Sequence, residues 1–90
     1  MSNYKKILII EDEPILLQML KDKFERNGIK VSYATDGEEG LALIKKDKPR
    51  LVLLDLMLPK MSGETILKEI KENKSTKDIP VVVLSAKADD

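Results

Sequence analysis

The chain has 90 residues, room for one domain, and its 42% apolar and 36% charged residues are typical of a globular protein rather than a disordered one. Sixteen Lys and Arg residues balance sixteen Asp and Glu residues, so the charge favours neither nucleic acid nor a membrane as a direct partner. Without Cys or His, disulfides, thiolate metal sites and histidine-dependent catalysis are excluded, which leaves carboxylates and hydroxyls as candidate reactive groups.

The N-terminal part of the chain predicts one strand and one helix. The polar residues 1–6 precede only four apolar residues, which is neither a signal peptide nor a membrane span, so we expect a cytoplasmic protein. The continuous apolar run from Ile7 to Ile10 indicates a strand buried on both faces. Pro14 suits a first helical turn and Gly28 a left-handed C-terminal cap. Between them, apolar residues recur at helical spacing: Leu16, Leu17, Leu20 and Phe24.

A second strand and helix follow. Lys30 to Ala34 reads as a short strand, and Asp36 followed by Glu39 resembles the capping box that begins a helix. Pro49 prevents this helix from continuing. Its apolar positions are Leu41, Ala42 and Ile44.

The remaining residues predict two more strands with a helix between them. Leu51 to Leu54 is another fully apolar run, Ser62 can cap the third helix, and Pro80 precedes the last run, Val81 to Leu84. The apolar residues of this helix are Ile66, Leu67 and Ile70. The predicted order is therefore βαβαβαβ, with no linker or sequence repeat to divide residues 1–90 into more than one domain.

Strands that alternate with helices through short polar loops predict an α/β fold. The strands form a parallel sheet with right-handed crossovers, and helices cover both faces. Ligands bind such sheets at the carboxyl ends of the strands.

Three of the four predicted strands are followed by polar groups at this edge: Glu11 and Asp12 after the first, Asp55 after the third and Ser85 after the fourth. Neighbouring strands lie about 4.8 Å apart, so acidic groups that end adjacent strands would share a small crevice. Clustered carboxylates repel each other unless a cation joins them, and a hard divalent cation with oxygen ligands, Mg²⁺ first, is the expected solution.

Each of these residues also has a purely structural explanation. Acidic residues such as Glu11, Asp12 and Glu13 are common in the first turn of a helix, where the helix dipole stabilises them. Ser85 after a strand usually caps or turns the chain. Asp55 is harder to explain this way, because a carboxylate directly after a buried run is costly to desolvate without a partner.

The segment Asp55-Leu56-Met57-Leu58-Pro59-Lys60-Met61-Ser62-Gly63, together with the acidic pair and Ser85-Ala86-Lys87, resembles the receiver domain of bacterial two-component response regulators. The resemblance extends over essentially the whole chain, with Ile7 to Glu13 similar to the first strand and acidic pocket of the family. It implies a flavodoxin-like, doubly wound parallel sheet with strand order 2-1-3-4.

The resemblance also implies a function in phosphorelay signal transduction. In the family, the aspartate that matches Asp55 takes a phosphoryl group from a phosphohistidine of a sensor histidine kinase. Asp12, Asp55 and the backbone carbonyl of Met57 would bind Mg²⁺, with Glu11 assisting directly or through water. Ser85 matches the switch hydroxyl that senses the phosphoryl group. Such a domain is a signalling module rather than an enzyme. Lys60 and Lys87 lie near the predicted pocket in the sequence, and we expect both to be solvated loop residues.

The family normally continues with a fourth helix, a fifth strand and a fifth helix, so the resemblance implies a receiver domain that lacks its C-terminal portion. The absent fifth strand carries a lysine that pairs with the phosphoryl oxygens and an aromatic residue coupled to the switch hydroxyl. Val81 to Leu84 would then form an open sheet edge, and open edges recruit partners. We therefore expect the chain to self-associate through this edge.

Two alternatives compete with the receiver interpretation. The first is a truncated, self-associating fragment with no phosphotransfer activity. The second is an aspartate-nucleophile phosphohydrolase of another family, whose members usually carry a second acidic residue two positions after the nucleophile. That position is Met57 here, which favours the receiver.

Overall fold

The computed structural model describes residues 6–85, except for the side chain of Ser85. The elements in chain order are β1 (Lys6–Ile10), α1 (Pro14–Arg26), β2 (Lys30–Ala34), α2 (Gly37–Asp47), β3 (Leu51–Asp55), α3 (Gly63–Glu72) and β4 (Val81–Ser85). The four strands form one parallel sheet in the order β2-β1-β3-β4. The structure thus confirms the expected alternation and strand order, and it extends β1, β3 and β4 by one residue each.

The two central strands, β1 and β3, carry the most apolar sequences. Residues 7–10 and 52–54 are all buried, as expected for parallel strands that have helices on both faces. In β1, Ile10 pairs with Ala34 of β2 on one side and with Leu54 of β3 on the other. The strands therefore end level with one another, and the residues that follow them meet at one edge of the sheet.

Two hydrophobic cores lie on opposite faces of the sheet, because successive side chains of a strand alternate between faces. One core packs α2 and α3 against the sheet, and its buried residues are Leu8, Ile10, Leu41, Ile44, Val52, Leu54, Ile66 and Ile70. The other packs α1 against the sheet through Ile7, Ile9, Leu17 and Leu53, with Leu20 and Phe24 partly buried beside them. Helices thus cover both faces, as predicted.

Helix α1 begins and ends at the predicted signals. The side chain of Glu13 accepts a hydrogen bond from the Leu16 N–H at 3.1 Å, and Pro14 is the first helical residue. At the other end, Gly28 adopts a φ of 78°, and its N–H donates to the Glu25 carbonyl at 3.0 Å. A left-handed residue just after the last turn is the usual helix end, and glycine adopts it without strain.

Side-chain caps also begin the other two helices at the predicted residues. Asp36 accepts from the Glu39 N–H at 2.8 Å at the start of α2. Ser62 accepts from the Thr65 N–H at 3.2 Å at the start of α3. Each cap satisfies a backbone donor that the helix itself leaves unpaired.

Two of the apolar residues that marked the helices do not enter the cores. Leu16 is 37% exposed, and Ala42 is exposed, whereas Leu43 packs against the core.

In the part of the chain that the structure describes, no helix has both the length and the apolar character required to cross a membrane.

Candidate functional site

The acidic residues lie where the topology of the sheet opens a crevice. The chain leaves β1 toward β2 on one side, then crosses to β3 on the other side, so the strand order reverses between β1 and β3. Parallel α/β sheets bind ligands outside the carboxyl ends of the strands at such a point. Glu11 and Asp12 follow β1 directly, and Asp55 is the last residue of β3.

The three carboxylates converge at this point. One carboxylate oxygen from each of Glu11, Asp12 and Asp55 lies within 4.8 Å of the other two. Glu11 is only 1% exposed and Asp55 7% exposed, whereas Asp12 is exposed. The structure therefore brings together the three acidic residues singled out in the sequence, two of them buried at the mouth of the core and one facing solvent.

Glu11 is the least solvated of these residues. Its Oε2 accepts a hydrogen bond from the Glu13 N–H at 2.9 Å, but its Oε1 is buried and has no hydrogen-bond partner among residues 6–85. Burial raises the pKa of Glu11, the Glu13 N–H opposes this rise, and the nearby carboxylate of Asp55 adds to it. A buried oxygen that lacks a donor, beside two other carboxylates, is an arrangement that a bound cation would stabilise.

Asp55 holds the backbone of the following loop beside its own carboxylate. Its Oδ1 accepts a hydrogen bond from the Met57 N–H at 3.0 Å, while the Met57 side chain is 59% exposed. A carboxylate that receives a backbone N–H two residues later forms a tight local turn. The backbone of Met57 is therefore positioned next to the acidic cluster, and its side chain is not part of the packed core.

A close backbone contact fixes the other end of this loop. The Gly63 N–H donates to the Leu56 carbonyl at 3.1 Å. A Cβ atom at Gly63 would lie 2.5 Å from the Leu56 Cα and 2.8 Å from the carbonyl oxygen of Asp55. Only glycine therefore permits α3 to begin this close to the end of β3.

The middle of the loop contacts the start of α2. Lys60 Nζ lies 3.6 Å from Oδ2 of Asp36, and a Cβ atom at Gly37 would lie 2.6 Å from the Cβ of Met61. Lys60 is 59% exposed at its side chain, consistent with a solvated loop residue, but it also has this specific partner. The pKa of Asp36 is lowered, first by the hydrogen bond from the Glu39 N–H and further by the positive charge of Lys60.

The backbone of Ser85 pairs with Asp55 across β3 and β4. Its side chain and the whole of Lys87 lie outside the described residues. The backbone of Ser85 therefore lies at the same edge of the sheet as Asp55, and its role as the switch hydroxyl stays a prediction.

The structural roles of several residues that shape the site were not predicted from the sequence. Gly37 and Gly63 each begin a helix where a better helix former would be expected, and that unusual position was the available signal. The ion pair of Lys60 with Asp36 left no such signal, because the two residues are far apart in the chain and meet only in the folded protein.

The sequence and the structure match one protein family. The family model of the response regulator receiver domain matches residues 7–90. Over 83 residues, the chain is 40% identical to the alkaline phosphatase synthesis transcriptional regulatory protein PhoP of Bacillus subtilis, covering 92% of this chain and 34% of that protein. The chain thus spans about a third of the length of this curated relative.

Solved receiver domains share the fold. The N-terminal domain of a response regulator receiver protein from Methanoculleus marisnigri is 39% identical, with a TM-score of 0.85 over 91% of this chain and 67% of that one. The phosphorylated cyanobacterial phytochrome response regulator RcpA is 34% identical, with a TM-score of 0.86 over 94% of this chain and 67% of that one. The chain belongs to the response regulator receiver domain family, the signalling domains of two-component systems, and has their flavodoxin-like fold.

Proposed function

We propose that the chain accepts a phosphoryl group on Asp55 from a phosphohistidine of a sensor histidine kinase, in a reaction that requires Mg²⁺. The observation that carries this proposal is the convergence of the carboxylates of Glu11, Asp12 and Asp55 within 4.8 Å. Within the described part of the chain, one buried Glu11 oxygen in this cluster has no hydrogen-bond donor. A cytoplasmic location, typical of receiver domains, is part of the proposal.

The donor set suits Mg²⁺. Three converging carboxylates repel each other, and Mg²⁺ prefers oxygen ligands and keeps several of its waters. Asp12, Asp55 and the backbone carbonyl of Met57 would hold the ion, with Glu11 contributing directly or through a water molecule. When bound, the ion offsets the negative charge that gathers as a phosphoryl group approaches a carboxylate.

Asp55 supplies the nucleophile. A carboxylate oxygen of Asp55 forms a new P–O bond while the P–N bond of the phosphohistidine breaks, and the departing imidazole nitrogen keeps the electron pair of that bond. The product is an acyl phosphate. The Met57 N–H, 3.0 Å from Oδ1 of Asp55, orients the carboxylate for this step. The chain catalyses at most its own phosphorylation and the later loss of the group.

The surface next to Asp12 suits a protein donor. The first two turns of α1 expose three apolar side chains: Ile15 is 70% exposed, Leu16 37% and Met19 61%. Exposed apolar side chains that cluster on one face commonly mark a protein-binding surface. A kinase that covers this patch would bring its phosphohistidine to the carboxylates.

Ser85 would report the phosphorylated state. Its backbone lies opposite Asp55 in the sheet, and a hydroxyl at that edge can donate a hydrogen bond to a phosphoryl oxygen. The proposed switch is the formation of that bond.

Intact-mass spectrometry tests the proposal. The chain is incubated with Mg²⁺ and a small acyl phosphate donor, beside the Asp55→Asn variant. We expect the wild type to gain one phosphoryl group and the variant none. No gain in the wild type would favour a fragment without phosphotransfer activity. Rapid multiple turnover of a phosphate ester would favour the phosphohydrolase alternative. The residue two positions after Asp55 argues against that alternative, because Met57 is not acidic.

We also propose that copies of the chain associate through β4. Within residues 6–85 this strand pairs only with β3, and Val82 and Val83 are 48% and 40% exposed. An edge strand with exposed valines favours pairing with a second copy. Sedimentation at micromolar concentration tests this, with Val82→Lys as the variant expected to remain monomeric. A wild type that sediments as a folded monomer would contradict it.

A further inference from the structure

The loop after Asp55 contains a lysine in a backbone conformation that favours glycine. Lys60 has a φ of 68°. The other non-glycine residue with positive φ among residues 6–85 is Lys48, which caps the C-terminal end of α2, where this conformation is common. Lys60 is not at a helix end, so its strained conformation persists because surrounding contacts hold it.

The side chain of Lys60 meets a carboxylate that is itself fixed. Lys60 Nζ lies 3.6 Å from Oδ2 of Asp36, whose Oδ1 accepts the Glu39 N–H at 2.8 Å. Asp36 therefore uses one oxygen to begin α2 and presents the other to the loop. Because the N-terminal cap orients the Asp36 carboxylate, the ammonium group of Lys60 has a defined partner rather than a mobile one.

The next residue adds a backbone contact at the same place. The Cβ and carbonyl oxygen of Met61 would lie 2.6 and 2.7 Å from a Cβ atom at Gly37. Two consecutive loop residues thus meet two consecutive residues at the start of α2. The ion pair joins Lys60 to Asp36, and close packing joins Met61 to Gly37.

A short, stiff connection links Lys60 to the acidic cluster. Only Leu58 and Pro59 separate it from Met57, the proline ring fixes one backbone dihedral, and the Met61 N–H closes a turn onto the Pro59 carbonyl at 2.7 Å. Few free torsions remain between Lys60 and the Met57 backbone. A shift of Lys60 would therefore move the Met57 amide away from Asp55.

We propose that Lys60 is a positioning residue: through its ion pair with Asp36, it holds the loop so that the Met57 backbone stays beside Asp55. This rests on the proposed function only in the use of the Met57 carbonyl as a metal ligand. Lys60 acts at a distance, since its charge is directed to Asp36 rather than to the carboxylate cluster. Exposed ion pairs shift equilibria by at most about fivefold, so the expected effect is modest and sensitive to salt.

Three variants isolate the ion pair. Lys60→Gln removes the charge, Lys60→Arg retains it, and Asp36→Asn removes the partner charge while leaving a side chain that caps helices equally well. Lys48→Gln is the matched control, because Lys48 is also a left-handed lysine but lies at the opposite end of α2.

The first readout is hydrogen exchange of the Met57 N–H in metal-free protein, with the Ile9 N–H in the central strand as a reference for global stability. In Lys60→Gln and Asp36→Asn, we expect Met57 to exchange about two- to fivefold faster. Exchange of Ile9 requires global unfolding, which also breaks the ion pair, so it should accelerate by no more than the same factor. In the wild type, Met57 should exchange faster than Ile9, because the loop can open by itself. Lys60→Arg and Lys48→Gln should match the wild type. The double variant Lys60→Gln/Asp36→Asn should exchange at Met57 no faster than either single variant. High salt should remove the difference in exchange rate between these variants and the wild type.

The second readout is Mg²⁺ affinity, measured by calorimetry. It should also fall about two- to fivefold in Lys60→Gln and Asp36→Asn. Unchanged Met57 exchange in those variants would overturn the proposal, and faster exchange of Ile9 alone would then indicate a role in stability that does not involve the loop. A wild type in which Met57 exchanges no faster than Ile9 would also overturn it, because the loop would then not open separately. If the wild type bound no Mg²⁺, the proposed function would fail, and the metal-free exchange data would still decide the role of Lys60.

Discussion

Asp55 and Ser85 are paired across strands β3 and β4 although an even register would place Leu84 opposite Asp55. Leu54 pairs with Val83, and the next pair is Asp55 with Ser85, so Leu84 is an extra residue on β4. Such bulges bend a strand and redirect the side chains that follow them, often beside functional sites. The irregularity brings the backbone of Ser85 level with the proposed phosphoryl acceptor.

Replacing Glu11 with glutamine should separate metal binding from stability. Without Mg²⁺ at neutral pH, Glu11→Gln should be more stable than the wild type, because it removes one of three converging negative charges. Its Mg²⁺ affinity should fall by about 10–100-fold, as for residues that support metal ligands. Urea unfolding and calorimetry measure the two effects. Glu13→Gln, which changes an exposed neighbour of Glu11, is the control and should bind Mg²⁺ nearly normally. If Glu11→Gln bound Mg²⁺ as tightly as the wild type, Glu11 would have no role in metal binding.

The stability of the metal-free protein should depend on pH through Glu11. Burial and the nearby Asp55 carboxylate raise its pKa above the ordinary 4.5, so the folded state binds this proton more tightly than the unfolded state. The contribution of Glu11 to stability is therefore fully present below pH 4.5 and is lost as pH rises through the raised pKa. Mg²⁺ competes with the same proton, so its affinity should fall as pH decreases through this window.

Urea midpoints of the wild type and Glu11→Gln across this pH range measure the effect. The advantage of Glu11→Gln should shrink toward low pH. An advantage that stayed constant with pH would mean that Glu11 titrates alike in the folded and unfolded states.

Gly63→Ala should damage the site as well as the fold. The added methyl group would lie 2.5 Å from the Leu56 Cα, so either α3 or the end of β3 must move, at a cost of about 1–3 kcal/mol. Gly28→Ala is the matched control: it has open space but a φ of 78°, which costs about 1–2 kcal/mol through backbone strain alone. Both variants should lose stability in urea, but only Gly63→Ala should also lose Mg²⁺ affinity when folded. Normal affinity in Gly63→Ala would show that the end of β3 tolerates the shift.

The two isoleucines Ile66 and Ile15 should differ sharply in their contribution to stability. Ile66 is fully buried between α3 and the sheet, and Ile66→Ala should cost about 2–5 kcal/mol, a large part of the stability of a small domain. Ile15 is 70% exposed on α1, and Ile15→Ala should change stability by no more than about 0.5 kcal/mol. Thermal unfolding measures both. A large loss in Ile15→Ala would mean that this side chain is packed rather than available to a partner.

Local sequence signals predicted most of the fold. Pro14, Gly28, Asp36 and Ser62 mark helix ends by chemistry that acts within three or four residues, and the structure confirms each of them. The apolar runs of the central strands identified the buried positions for the same reason. The convergence of the acidic residues also followed from the sequence, because parallel strands place their carboxyl ends at one edge.

Contacts between distant segments could not be predicted in this way. The approach of Gly63 to Leu56, the ion pair of Lys60 with Asp36 and the extra residue at Leu84 depend on how closely elements pack and on the exact strand register. Helical spacing also misplaced Leu16, which lies at the boundary between the buried and exposed faces of α1. These features are set by the tertiary structure, and they are the ones that shape the loop after Asp55.

Locating the phosphoryl group on the labelled chain shows whether Asp55 is the acceptor. The chain is incubated with Mg²⁺ and a small acyl phosphate, digested, and analysed by peptide mass spectrometry, with a metal-chelated sample as control. We expect a modification on Asp55 alone, lost on treatment with hydroxylamine as an acyl phosphate should be, and absent without Mg²⁺. A phosphoryl group on Ser or Thr, or equal labelling of Asp55→Asn, would contradict it.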